Sequence, residues 1–321
     1  MLRESLKSVT GILADMQNIG RMAPGAALAA LVGVGALWGL GAPLVRFARL
    51  EGISAFTIIF AQSLVGAAVM GAILMARGRL RLPRDPASLL LYVAVAGLGM
   101  VLPHLAGFWA LGHIPAGIHA MLTSLVPMFA LALTLGLRIE RFEPLRGLGL
   151  LLGALAVALL VLPDTALPAS VPVVFVFISA LAPLCYAVES AFVAHISRAR
   201  AGAMQALFAG SVLAALVMAP LSRAVGAPLL PVGSPLALWA IVVSGVAGTL
   251  AYAGYVTLLR RAGSVFATQV AYLVTGFAML WAALLLGERY GPLVWLALAI
   301  LFAGLFLVQP RPRLPGLPPS R

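Results

Sequence analysis

Apolar residues run through this chain in ten long blocks, at about 26–46, 54–75, 88–111, 115–137, 145–163, 171–194, 204–221, 236–259, 264–286 and 293–308. Short stretches rich in Arg, Pro and Gly separate them, as in Arg77 to Pro86 and Pro228 to Pro235, and such stretches mark turns. The blocks hold roughly 16–24 residues, about what a helix rising 1.5 Å per residue needs to cross a hydrocarbon layer about 30 Å thick. Strand alternation is missing and Ala, Leu and Gly predominate, so the blocks are helices and not barrel strands. The pattern predicts an all-α integral membrane protein with ten transmembrane helices. Ahead of them, Leu2, Leu6, Val9, Leu13 and Met16 recur at spacings of three and four. Residues 1–23 therefore read either as an amphipathic helix on the membrane surface or as a disordered leader. The Pro-rich residues 310–321 read as a disordered tail.

The blocks repeat. The stretch Pro115 to Leu145 returns at Gly263 to Leu293 under a shift of 148 residues without a gap. The shift lays Leu125 on Leu273, Phe129 on Phe277, Glu140-Arg141 on Glu288-Arg289 and Pro144-Leu145 on Pro292-Leu293. Upstream it lays Trp38 on Tyr186, Ser63 on Ser211 and Gly97 on Gly245. One register held across five helices indicates duplication. The expected domains are 24–163 and 164–309, five helices each. Because five is odd, the second copy enters the membrane upside down relative to the first. Two inverted repeats around a central cavity form a scaffold common among secondary transporters, with the substrate near the midplane.

Composition narrows this further. Hydrophobic residues make up 63% of the chain and charged residues 9%, with a mean hydropathy of +1.10. The net charge of +12 is carried by 20 arginines and Lys7, scattered over loops. This is a topology signal and not a nucleic-acid surface. With both termini on one side, that side collects 17 basic residues and the other only Arg46, Arg49, Arg223 and Arg289. The positive-inside rule then places both termini in the cytoplasm. The one cysteine, Cys185, rules out an intrachain disulfide.

The small-residue pattern, the Pro within LTSLVPMF, and helices ending in Ile-Glu-Arg-Phe and Gly-Glu-Arg-Tyr resemble the EamA-type repeat of the drug/metabolite transporter superfamily. LWGLGAPLVRFA at 37–48 and LPHLAGFWALGHIPAGIHAMLTSLVP at 102–127 extend the resemblance, which covers nearly all of Ala26 to Val308. It implies a cavity lined mainly by helices one, three, four, six, eight and nine, and export of amino acids or similar metabolites. A bacterial cytoplasmic (inner) membrane is the expected location. Two positions depart between the copies: Arg138-Ile139 stand where the second has Leu286-Gly287, and Thr275 stands where the first has Pro127.

Glu189 leads the candidate substrate-binding residues. It lies about 9 Å of helix from the nearer end of its block, where a bare carboxylate costs on the order of 2.5–3.5 kcal/mol. It could bind a substrate ammonium or carry a proton; a structural hydrogen bond to a neighbouring helix is the other reading. Pro183, Tyr186 and Glu189 lean to one face, and Trp38 is the repeat mate of Tyr186. His104, after Pro103, is the mate of Tyr252. Gln62, Trp109, Ser124, Gln269 and Tyr272 are further candidates, while His113 and His119 read as interfacial. A gating or structural role is expected for Pro103, Pro127, Pro183 and the pairs Glu140-Arg141 and Glu288-Arg289, each carboxylate pairing with the adjacent Arg. Small-residue pairs such as Gly35 with Gly39 and Gly149 with Gly153 allow close helix packing. No acid or second His stands at metal-ligand spacing from His104, so no metal or cofactor is expected.

No nucleotide-binding G-x-x-x-x-G-K-[ST] loop occurs, so transport would follow a gradient or couple to an ion, with protons the candidate. No nucleophile–base pair or H-E-x-x-H supports an enzyme. The expectation is a monomeric secondary transporter exporting a small polar metabolite, an amino acid foremost, by alternating access. The alternative is an exporter or flippase of hydrophobic drugs or lipids on the same fold.

Overall fold

Because lipid offers no hydrogen bonds, each apolar block closes its backbone on itself. The structure, a computed structural model, describes residues 22–161, 172–196 and 199–309. The leader expected over 1–23 lies almost wholly outside the described residues, and the tail over 310–321 entirely so. Every element among the described residues is a helix. Nine segments have the length and hydropathy of membrane spans: Pro24–Leu50, Ala55–Ala76, Pro86–Leu111, Ala116–Gly136, Pro144–Val161, Val174–Ala194, Ala203–Ala224, Pro235–Arg261 and Val265–Leu286. A tenth apolar helix, Pro292–Val308, follows. They are called spans one to ten below. Span one runs four residues past the boundary expected from hydropathy, because Arg46 and Arg49 lie inside its last turns.

Proline and turn chemistry set the boundaries. Pro24, Pro86, Pro235 and Pro292 open their helices, where a missing N–H costs nothing. Asp85 caps span three by accepting from the Ser88 amide at 3.0 Å. Spans one, three, four and nine are interrupted, span one at Leu40. Span three holds a π-helical segment, Val95–Val101, just before Pro103. Span four breaks at Ser124-Leu125 ahead of Pro127, and span nine breaks at Gln269.

The repeats interlock instead of standing side by side. Span one packs on span nine, span two on span seven, and span five on span ten. Glycines make these approaches possible. Gly35 and Gly39 lie on Leu273 and Phe277, and Gly149 meets Gly304. A Cβ on Gly39 would come within 2.9 Å of the Ala278 amide nitrogen. The loops pair at both membrane faces. Ser88 Oγ accepts from the Arg200 and Ala201 amides at 3.1 Å, and Thr57 donates to the Pro228 carbonyl at 2.5 Å.

Candidate functional site

Spans three, six and eight meet around Glu189. Its carboxylate lies against Gly99 in the π segment, where an added Cβ would be 2.5 Å from Oε1. Tyr186, one turn earlier on span six, and Tyr252 of span eight lie within electrostatic reach of it. No cation or hydrogen-bond donor engages the carboxylate among the described residues. Nor is it sealed, since Glu189 keeps partial exposure. An acid against bare backbone, with two phenols within electrostatic reach, can accept a proton or an ammonium group. Trp38 of span one packs beside Tyr255, three residues beyond Tyr252, with their rings 5.6 Å apart.

His104 belongs to a different neighbourhood. It stacks on Phe108 at 4.7 Å and lies within electrostatic reach of His119. His119 is 8% exposed, so it is not interfacial as its position near the block's end suggests. Its Nδ1 is 2.8 Å from Ser179 Oγ, and its ring fills the space left by Gly107. Pro183 removes the amide that would bond the Ser179 carbonyl, so the kink of span six and this polar cluster share a turn. His113 is exposed, stacked on Phe175 at 3.7 Å.

Several candidates are committed to holding helices together. Gln62 donates to Ser244 at 2.6 Å between spans two and eight. Ser124 donates to the Met121 carbonyl of its own broken helix at 2.7 Å. Gln309 bridges Gln269 and Tyr272, tying span nine to the end of span ten. Trp109 is 51% exposed and turns into a lateral groove.

At the arginine-poor face, an inter-repeat latch replaces the expected Glu288–Arg289 pair. Glu288 pairs with Arg46 of span one at 3.0 Å. It also accepts from the Ala116 amide at 2.8 Å, the Gly117 amide at 3.3 Å and the Tyr290 hydroxyl at 2.6 Å. Arg46 further donates to the Leu111 and Ile114 carbonyls. A carboxylate from span nine thus caps the positive end of span four. Burial first, then its bond to Glu288, raises the Tyr290 hydroxyl above its ordinary pKa. At the other face the repeat mate Glu140 pairs with Arg146 at 2.5 Å. Ala194 stands at the mate position of Arg46, so the same latch cannot form there. Acids within apolar runs stand out in the sequence, whereas the partner of Glu288 across the repeats, Arg46, does not. Its signal was a basic residue between Val45 and Phe47, on the side poorest in arginine.

Ten helices in two halves, joined by an ion pair at one face and holding an acid without a partner among the described residues, define a polytopic membrane protein. Both halves match the model of the EamA-like transporter family, over residues 25–162 and 173–309. The chain belongs to that family and is a membrane transporter of small molecules. The fold is similar to a crystal structure of a protein 21% identical, with a TM-score of 0.59 over 89% of this chain and 96% of that one. Comparison with curated proteins finds no match.

Proposed function

We propose that the protein is a secondary transporter that exports a small polar metabolite, with amino acids as the substrate class, by alternating access across a bacterial cytoplasmic membrane. The observation that carries this reading is the carboxylate of Glu189, partly open, unpaired among the described residues and within electrostatic reach of Tyr186 and Tyr252. Such a group is stable inside a bilayer only when water, a proton or a cation supplies what the protein withholds. A substrate ammonium fits the charge and the phenols fit its polar remainder. The one-sided latch supports the mechanism, because inverted repeats that differ in conformation leave one face closed while the other opens. In this reading the arginine-rich face is cytoplasmic and the latched face opens to release substrate.

Counterflow in proteoliposomes, screened over amino acids, sugars and nucleotides, tests the assignment. An amino acid should exchange, and Glu189→Gln should cut exchange by at least about tenfold, the effect of losing one charge-assisted contact of about 1.4 kcal/mol. Exchange at an unchanged rate and pH profile in Glu189→Gln would refute the role of the carboxylate. Exchange confined to lipids or apolar drugs would point to a flippase.

A further inference from the structure

A second site lies away from Glu189, on the membrane-facing side of spans two, three and six. A cavity of about 520 Å³ opens there, lined by Arg49, Ser54, Phe56, Leu105, Trp109 and Leu181 among others. Its size falls in the range of roughly 300–1,000 Å³ usual for ligand pockets. Leu181 precedes Glu189 by eight residues, about 12 Å along span six, so the two sites lie at different depths. Trp109 and Leu181 are 51% and 48% exposed, so the cavity opens sideways, where hydrocarbon runs.

Its polar end has unused binding capacity. Arg49 donates to the Ile53 carbonyl at 2.7 Å, but its Nε is sealed from solvent and has no hydrogen-bond partner. Glu51, the nearest acid in sequence, is exposed and makes no ion pair with it. Ser54 is the N-cap residue of span two, yet its hydroxyl makes no capping bond. A guanidinium, a free hydroxyl and the positive end of a 22-residue helix therefore converge at the mouth of an apolar groove. Each of the three favours an anionic oxygen. Only an amphiphile satisfies both ends. A free phosphate would leave the groove empty, and a neutral lipid would leave Arg49 unpaired.

We propose that this groove binds an anionic phospholipid. Its phosphodiester sits on Arg49 and Ser54, and one acyl chain lies along Leu105, Trp109 and Leu181. Bound there, the lipid lies over the seam between spans three and six, a contact between the two repeats. The site does not depend on the identity of the transported substrate.

Trp109 reports on the acyl chain directly. The full chain is placed in nanodiscs of zwitterionic phosphatidylcholine, and bromine-labelled phosphatidylglycerol or phosphatidylcholine is titrated in. The Trp109 contribution is taken as the difference between the wild type and Trp109→Phe. Brominated phosphatidylglycerol should quench it at about tenfold lower mole fraction than brominated phosphatidylcholine, the margin expected of one charge-assisted contact. Arg49→Gln should abolish that preference and Arg49→Lys should retain part of it. Ala106→Phe, which fills the groove and leaves Arg49 in place, should abolish the quenching itself. Equal quenching by both lipids would overturn the proposal, as would a preference that persists in Arg49→Gln. Displacement of the anionic lipid by millimolar inorganic phosphate would overturn it too, by making the site one for free anions.

Discussion

Glu288 accepts from four donors, and the ion pair it forms with Arg46 leaves side-chain exposures of only 9% and 16%. Removing one partner of so buried a pair strands the other charge, a loss of about 3–5 kcal/mol. Glu288→Ala should therefore lower the stability of the folded chain by that amount, read as unfolding in mixed micelles, whereas Glu140→Ala at the more exposed mate should cost less than about 1 kcal/mol. Tyr290 adds a pH dependence. Its folded pKa is raised, so its contribution is complete below the ordinary tyrosine value of about 10 and is lost as pH rises through the folded value. Unfolding scans above pH 10 should show a smaller loss in Tyr290→Phe than in the wild type. At this scale the sequence exposes an acid in an apolar run, which is how Glu189 stands out. It hides partners: Arg289 adjoins Glu288, yet Arg46 lies 242 residues away and becomes its neighbour only through the packing of span one on span nine.

The elements show why a gap-free repeat does not give equal faces. Span eight runs as one helix over Pro235–Arg261, whereas its counterpart carries the π segment Val95–Val101. A π turn holds one residue more than an α turn, so side chains beyond it are rotated by roughly 100°. His104 and Tyr252 share a repeat position in sequence, but Tyr252 attends Glu189 while His104 turns to Phe108 and His119. Hydropathy carries no trace of such a bulge. Helix ends follow the same logic. Gly287 leaves span nine at φ 67°, and the first copy reaches this left-handed geometry one position earlier, with Arg138 at φ 57°. An L-residue that carries a Cβ is strained there, so Arg138→Gly should stabilise the protein by about 0.5–1 kcal/mol in the same unfolding assay. Gly99→Ala should do the reverse to function: its methyl would displace the Glu189 carboxylate, and counterflow should fall while the fold persists.

For the whole molecule, ten spans and the duplication are legible because both rest on long-range periodicity, which lipid enforces uniformly. The conformational asymmetry is not, since it arises from a few charges meeting across the halves. Alternating access predicts that fixing the latched face will stop turnover. In a Cys185→Ser background, a cleavable thiol cross-linker joining Arg46→Cys to Glu288→Cys should block counterflow, and cleaving the linker should restore it. Transport undiminished by the linked pair would rule out opening at that face. The carboxylate that closes this face also satisfies the first amides of span four. Were it to withdraw in the proposed alternating-access cycle, those amides, Arg46 and Glu288 would all need new donors and acceptors at once, and solvent would supply them. Unsealing and wetting are therefore a single event, so osmolytes excluded from the channel should retard the cycle in proportion to the water it must admit.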